Sequence, residues 1–256
     1  MLRKFSFILL LLTLVCALQV DALMAQGRSI PKGSKAQEAE ETLVIDELPE
    51  GQTYRYPLFN GLNISVDIFD PLYDLFLVDH ASYEAQAMVN LHNRFFPMAS
   101  LGLGYANETS NNGIEFSTGQ KQEFTYKSDL SPFFKIGMAY NMQYNSTKPE
   151  DTYMVFARYG IATNKADLTN IYYASANWDD THLPDLLGQS YTTQWLEAGV
   201  MIKVQLIKHI SLGWDLFAKI KIYQSGTEHG KPAFVPGYGS NSSMFGFNFR
   251  IYYDLF

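Results

Sequence analysis

The sequence predicts an all-β protein, an eight-stranded antiparallel up-and-down transmembrane β-barrel. Three observations favour this fold class. The first residues have the pattern of an export signal, apolar and polar residues alternate with a period of two in many later runs, and the connections between these runs alternate between short and long. Because successive side chains of a strand point to opposite faces, each run has one apolar and one polar face.

Residues 1–25 predict a signal peptide that is cleaved after Ala25. Arg3 and Lys4 supply the positive start, and the apolar stretch that follows is too short for a comfortable membrane helix. Cys16, the single cysteine of the chain, lies inside this segment. The mature chain is therefore predicted to have no disulfide, so that its stability comes from sheet closure and packing.

Residues 26–57 are predicted to form an acidic, disordered periplasmic tail, and residues 58–256 the barrel. The tail carries several glutamates between prolines and glycines, and such a composition cannot bury enough apolar surface to fold alone. The formal net charge of the chain is -7, which does not suggest a nucleic-acid partner. After the signal, no apolar run is long enough for a membrane-spanning helix.

The predicted strands share strict alternation and end at proline, glycine or polar clusters. In chain order they cover about residues 58–69, 82–93, 98–106, 132–144, 152–163, 196–206, 212–222 and 245–255. Residues 107–131, 164–190 and 224–243 are predicted as long loops. A hairpin within residues 107–131 could extend the flanking strands beyond a membrane, or it could add two strands and make ten.

Alternation alone does not decide which face of the barrel points inward. The connections after strands two, four and six are short, whereas those after strands one, three, five and seven are longer. Short periplasmic turns, long extracellular loops, an even strand count and an export signal together favour an outer-membrane barrel. Its lipid face would carry Trp214, Phe247 and several tyrosines as aromatic girdles. The alternative is a water-soluble, lipocalin-like periplasmic barrel with its apolar face inside.

The polar face of the predicted barrel carries charges of both signs. The inward acids are Asp67, Glu84, Glu197, Asp215 and Asp254, and the inward bases are Lys135, Arg158, Lys203, Lys219, Lys221 and Arg250. Buried charges need partners, and an eight-stranded barrel is just wide enough for side chains to fill it. We therefore expect a paired network that plugs the lumen. An ion path is the alternative, although a selective pore would more often show one sign in excess.

Four segments resemble a family of small outer-membrane barrels from Gram-negative bacteria, a family defined by a domain of unknown function. They are PFFKIGMAYNM (residues 132–142), YMVFARYGIA (153–162), WLEAGVMIKVQLIKHISLGW (195–214) and PAFVPGYGSNSSMFGFNFRIYY (232–253). The resemblance implies an outer-membrane location but no established activity, so it assigns no functional residues. The architecture is also similar to that of OmpA and OmpX barrels, which is an analogy of fold alone.

Catalytic patterns are weak in this sequence. Asp179, Asp180 and His182 lie close together in a predicted loop, as an Asp–His pair does in omptin-type proteases, but such matches arise by chance. With Asp185 these residues could bind a divalent cation, although acidic loops are usually only solvated. We predict no catalytic residue, no cofactor and no metal. A loop-borne hydrolase, either omptin-like or lipid-modifying, remains the enzyme alternative.

The function expected from the sequence is a structural or surface-recognition role through the extracellular loops, with a narrow channel for ions or small solutes as the alternative. The expected partners are outer-membrane lipid, the barrel-assembly machinery and an extracellular ligand or protein of unknown identity. The chain is expected to be a monomer.

Overall fold

A computed structural model describes residues 56–71, 80–110, 121–144, 151–175, 178–182, 184–227, 231–240 and 243–255 of the chain. The predicted signal peptide, almost all of the predicted tail and the terminal Phe256 lie outside these described residues. No helix among them has the length and apolar character of a membrane span.

Eleven strands form in the described residues, and most of them show strict two-residue alternation of burial. They are β1 (Phe59–Asp67), β2 (His80–Leu91), β3 (Phe95–Ser110), β4 (Lys121–Asn141), β5 (Thr152–Ser175), β6 (Trp178–His182), β7 (Leu186–Ile207), β8 (Ile210–Ser225), β9 (Phe234–Val235), β10 (Gly239–Ser240) and β11 (Phe245–Asp254).

Eight of these strands close into an antiparallel ring in the order β1-β2-β3-β4-β5-β7-β8-β11. The ring closes between the first and last strands, where Asn63 pairs with Asp254 and Asp67 pairs with Arg250. β6 adds to the edge of β5, and β9 pairs with β10 in a separate small sheet. The prediction of eight antiparallel strands is confirmed, and the alternative of ten strands is wrong.

Two predicted long loops are largely strand. The predicted loop 107–131 contains the end of β3 and the start of β4, which pair with each other from Asn107–Lys127 to Ser110–Phe124. The predicted loop 164–190 contains the end of β5, all of β6 and the start of β7. The hairpin predicted within residues 107–131 therefore extends its flanking strands. The alternation continues through residues whose polar character suggested a loop.

The short connections are tight turns. His92 and Asn93 between β2 and β3 both have positive φ, as does His209 between β7 and β8. The side-chain amide of Asn141 donates a hydrogen bond to the backbone oxygen of Asn93. The backbone N–H of Asn93 donates to Asn90 Oδ1 at 2.8 Å. These contacts fix the register of β2, β3 and β4 at this end of the ring.

The polar face of the ring points inward and is buried. On β1, Asn63, Ser65 and Asp67 are buried, whereas Ile64 and Val66 between them are exposed on the outer wall. Every strand of the ring repeats this arrangement over part of its length. The polarity is the reverse of that in a water-soluble β-barrel, whose apolar side chains fill the inside.

Candidate functional site: an interior charge ring and its closure

Six charged side chains form a closed ring of alternating sign across the interior. Lys135 Nζ lies 2.9 Å from Glu84 and 3.1 Å from Glu197, and Arg158 Nε lies 2.9 Å from Glu197. Arg158 Nη1 lies 3.5 Å from Asp215 Oδ2. Arg250 completes the circle, with Nε 3.0 Å from Asp215 and Nη2 2.7 Å from Glu84. We call these residues the charge ring: Glu84, Lys135, Glu197, Arg158, Asp215 and Arg250.

The charge ring is sealed from solvent and electrically balanced. None of its side chains is more than 4% exposed, and three acids face three bases. Each member comes from a different strand, so the ring ties together β2, β4, β5, β7, β8 and β11. Removing a single member leaves its partners buried without their counter-charge, which costs about 3–5 kcal/mol in measured cases.

Neutral side chains extend the charge ring. Trp195 Nε1 donates to Glu197 Oε1 at 2.8 Å, and Gln86 Oε1 accepts from Arg158 Nη1 at 3.2 Å. Trp195 is completely buried on β7, two residues from Glu197, so both point inward from the same face of the strand. The indole thereby fixes the orientation of the carboxylate that contacts two cations.

An apolar layer lies directly against the charge ring toward the short-turn end of the strands. It contains Met88, Phe96, Met98, Ala139, Met154, Phe156, Met201, Phe217 and Tyr252, and we call it the floor. The Arg158 guanidinium lies over the Phe156 ring at 4.4 Å and over the Phe217 ring at 5.1 Å. Cation–π contact of this kind stabilises a buried guanidinium on one side while carboxylates hold its edge.

Other predicted interior charges lie apart from the charge ring. Lys203 and Asp254 form a pair of their own, 2.6 Å apart, near the short-turn end, where Ser211 and Asn63 also donate to Asp254. Asp67 accepts the backbone N–H groups of Phe69 and Phe249 at 3.1 and 3.2 Å. The expected single network is therefore divided, with six of the eleven predicted residues in one closed ring.

Lys219 and Lys221 face the opposite end, where a chain segment enters the ring. Lys219 Nζ donates to the backbone oxygen of Tyr238 at 2.5 Å and lies 4.7 Å from the centre of the Tyr238 ring. Lys221 is only half-buried and lies 5.6 Å from the same ring. Burial raises the pKa of Tyr238, and Glu197 acts in the same direction.

Residues 231–240 form the segment that enters the mouth of the ring, and we call them the mouth loop. Phe234, Val235 and Tyr238 are buried in it, and Tyr238 packs edge-on against Trp195 with ring centres 5.7 Å apart. The Phe234 oxygen accepts from Tyr126 at 3.0 Å. Residues 224–243 were predicted as a long loop for surface recognition, but the apolar side chains of the mouth loop are buried inside the ring.

A glycine determines how closely the mouth loop approaches the wall. Gly237 has φ of +72°, and a Cβ there would lie 2.3 Å from the Phe133 ring. The same ring fills the space beside Gly102, where a Cβ would lie 2.1 Å away. The Gly237 nitrogen donates to Ser82 Oγ at 3.1 Å. Glycine is needed at position 237 both for its positive φ and for this contact.

The outer wall is apolar along a continuous belt that we call the band. The band comprises residues 62–66, 83–89, 95–103, 134–142, 153–161, 196–204, 212–222 and 245–253, whose outward side chains are all apolar. On β5 these are Tyr153, Val155, Ala157, Tyr159 and Ile161. Trp214 and Phe247 lie on this outer face, as the predicted aromatic girdles require.

Above the band, β3, β4, β5 and β7 continue with the opposite polarity, and β6 pairs with the end of β5. We call this part the crown and define it as residues 106–110, 121–128, 162–175, 178–182 and 186–194. On β5 the outward residues change from Ile161 to Thr163, Lys165 and Asp167, while the inward residues become Ala166 and Leu168. The crown's inner face is an apolar cluster that includes Phe124, Tyr126, Ile171 and Tyr191, covered by Phe234 of the mouth loop.

The weak catalytic candidates do not form a described site. Asp179 and Asp180 belong to β6, but their side chains lie outside the part of the chain that the structure describes. His182 is exposed and its ring lies 5.2 Å from that of Tyr172. Asp185 accepts the backbone N–H of Asn170 at 3.0 Å. Among the described residues, no cluster of three or more potential metal ligands is found.

The family model of the domain of unknown function DUF6048 matches residues 1–255. The chain belongs to the DUF6048 family. The predicted membership in a family defined by a domain of unknown function is therefore confirmed. No curated protein matches the DUF6048 chain significantly. Among solved structures, a crystal structure of a major outer membrane protein from Thermus thermophilus is similar with a TM-score of 0.36 and 10% identity, over 76% of this chain and 99% of that chain.

Proposed function

We propose that this DUF6048 protein is an outer-membrane β-barrel with a closed interior, whose role is structural or recognition through the crown. The observation that carries the proposal is the reversed polarity of the band. Large apolar side chains such as Leu101, Leu216 and Ile220 are more than half exposed on the outer wall, while the charge ring is buried inside. In water such a wall would be unfavourable, whereas in a bilayer the apolar side chains meet lipid tails.

The height of the band fits a bilayer. On β5 the outward apolar residues run from Tyr153 to Ile161, and a strand that crosses a membrane needs about 9–11 residues when tilted. The polar residues that follow, beginning at Thr163, would then lie in the aqueous phase. Tyr153, Tyr140 and Tyr253 lie near the short-turn end of the band, where aromatic side chains suit the membrane interface.

Three layers support a non-conducting interior. The floor, the charge ring and the mouth loop follow one another along the axis, and each is made of buried side chains. A narrow channel would require water or ions to separate the ion pairs of the charge ring, whose neighbouring members lie 2.7–3.5 Å apart. We therefore favour the closed barrel over the channel, and we propose no catalytic role.

Two measurements test the proposal. The mature chain, exported in a bacterium with two membranes, should fractionate with the outer membrane and need detergent for extraction, because the band is apolar. Reconstituted in planar bilayers, it should show no steady current. Recovery in the aqueous fraction without detergent would contradict the membrane proposal. Steady single-channel steps would contradict only the closed interior and favour the narrow channel.

The crown is the part of the described structure best placed for recognition. Its outer face carries Thr163, Lys165 and Asp167, and its edge exposes Leu187 beside Gly188. In the proposed orientation this surface faces the outside of the cell, while the short turns face the periplasm. In a pull-down, a partner of the crown should bind the unaltered protein but not a variant with Lys165 and Leu187 replaced.

A further inference from the structure

Arg94 lies on the outer wall at the short-turn end, surrounded by aromatic rings. Its Cζ is 4.8 Å from the centre of the Tyr144 ring and 5.4 Å from those of Phe95 and Tyr140. The arginine itself is exposed, and none of the ion pairs among the described residues includes it. The interior guanidinium groups of Arg158 and Arg250 all face carboxylates, so Arg94 differs from them in having rings but no counter-charge.

Within the described part of the chain, the Arg94 guanidinium contacts rings but makes no side-chain hydrogen bond. Aromatic rings interact with the planar face of an arginine, while its N–H donors project from the edge in a fixed fork. That fork matches two oxygens of a phosphate group, and such bidentate bonds are among the strongest in proteins. Because the rings hold the side chain against the wall, little conformational entropy is lost when an anion binds.

The side-chain sizes indicate a shallow groove on the outer wall at Ala87 and Ala99, and Ala99 lies five residues along the chain from Arg94, which is roughly 16 Å by strand rise. In one row across β1, β2, β3 and β4, Ile64 pairs with Ala87, Ala87 with Ala99, and Ala99 with Ile136. The two alanines are exposed and stand between two larger exposed side chains. Adjacent strands lie about 4.8 Å apart, so the depression is roughly 10 Å wide, which suits acyl chains that lie along the wall.

We propose that Arg94 and its three aromatic rings bind the phosphate of an anionic glycerophospholipid, whose acyl chains lie in the groove formed by Ala87 and Ala99. The proposal rests on the membrane location proposed above. The chain carries a net charge of -7, so anion binding depends on this local cation. The site lies at the level of the short turns, where lipid headgroups of one leaflet would meet the wall.

The test uses the purified mature chain, titrated in detergent with phosphatidylglycerol or phosphatidylcholine and measured by native mass spectrometry. The unaltered protein should retain phosphatidylglycerol preferentially. Arg94→Gln should lower that retention by about five- to tenfold, because one charge-assisted bidentate contact is lost. Arg94→Lys should give an intermediate value, since an ammonium lacks the planar fork. The matched control is Lys208→Gln, which removes an exposed positive charge from another short turn and should change nothing.

A second variant tests the groove. Ala99→Leu should fill the depression and weaken retention of long-chain phosphatidylglycerol, while dihexanoyl phosphatidylglycerol should bind as before. Equal retention of both lipids by the unaltered protein would refute the site. So would an Arg94→Gln variant that retains as much phosphatidylglycerol as the unaltered protein. Displacement of the lipid by millimolar inorganic phosphate would also refute it, because a free anion would then be the ligand.

The membrane proposal and the lipid site can fail separately. Membrane insertion of the protein is measured by flotation with vesicles of phosphatidylcholine alone. These vesicles contain no anionic lipid, so the result does not depend on the Arg94 site. Failure of the unaltered protein to float would defeat the membrane proposal. A protein that floats but retains phosphatidylglycerol and phosphatidylcholine equally would contradict the lipid site only. The difference in gel mobility between heated and unheated samples shows that each variant is folded.

Discussion

Four of the strands that form the band continue into the crown, where their polarity is opposite. On β7, Leu196, Ala198 and Val200 face outward in the band, whereas Gln194, Thr192 and Ser190 face outward in the crown. Inside, the band encloses the charge ring, and the crown encloses Tyr191 and its apolar neighbours. A single strand can thus follow the rules of a membrane barrel over one half and those of a water-soluble sheet over the other.

The difference shows that alternation establishes the two faces of a strand but the surroundings decide which face is buried. In the band the outer face is apolar, and the charged side chains are buried inside together with the apolar floor. In the crown the outer face is polar and the buried cluster is apolar. Under the proposed membrane location, each outer face therefore matches the medium around it. The change on β5 takes place between Ile161 and Thr163. Substitutions on either side of this boundary should therefore have different costs, and the largest is expected inside the band.

The charge ring should be the most sensitive part of the band. Arg250→Met is expected to destabilise the protein by about 3–5 kcal/mol, because Glu84 and Asp215 stay buried without this cation. The free energy of unfolding in urea, measured in lipid vesicles, gives the value. The double variant Glu84→Gln, Arg250→Met removes one charge of each sign and should be the more stable of the two. A single variant as stable as the unaltered protein would contradict the closed ring.

A charge on the outer wall should separate the two regions directly. Val200→Arg is expected to cost about 2–4 kcal/mol in a bilayer, since it places a cation against lipid tails near the middle of the band. Ser190→Arg lies on the same outward face of β7 but in the crown, where we expect a change of no more than about 0.5 kcal/mol. Both are measured by equilibrium unfolding in vesicles. Equal costs at the two positions would remove the distinction between band and crown.

A cavity in the crown should act locally. Leu168→Ala is expected to cost about 2–3 kcal/mol, because Leu168 is 3% exposed within the apolar inner cluster. Hydrogen exchange followed by mass spectrometry should then quicken in crown peptides and stay slow in band peptides. The control variant Leu216→Ala shortens an outward side chain in the band and should leave hydrogen exchange in the crown unchanged. Uniform acceleration along the strands would show that the two regions unfold as one.

The mouth loop joins the two regions, and its glycine should give the smallest effect. Gly237→Ala is expected to displace the loop at a cost of about 1–2 kcal/mol, because the new Cβ meets the Phe133 ring at a positive φ. With Trp178 and Trp214 replaced by phenylalanine, acrylamide should quench Trp195 more readily in this variant. The planar-bilayer current should stay at zero, since the charge ring and the floor remain. Unchanged quenching would show that the loop does not shield Trp195.

Much of the band could be predicted from the sequence. Glu84, Lys135 and Arg158 each occupy the polar, alternate positions of their strands. Because side-chain direction follows a period of two, these positions could be assigned to the inner face. Their closed order around the interior could not be predicted. It depends on the register between strands and on how far each side chain reaches, and neither follows from a single run of residues.

The hairpin within residues 107–131 was one of two alternatives that the sequence left open, but the part of the crown within residues 164–190 was missed for a physical reason. Its outward residues, such as Lys165 and Asp167, are polar, so the segment resembled a loop although the alternation continued. On β4 the register shifts between Ser128 and Phe133, which moves the inward face from even to odd positions and hides the pattern. The mouth loop has no periodicity at all. Only its apolar residues among glycines and prolines, Phe234, Val235 and Tyr238, could have indicated burial.

The charge ring also constrains how this family can diverge. Each acid in it contacts at least two bases and each base at least two acids, so altering one position leaves at least two neighbours unbalanced. Homologues should either keep all six residues or exchange positions of opposite sign in concert. An evolutionary path between two such compositions must cross an intermediate sequence of low fitness, and correlated substitution at these positions would record that crossing.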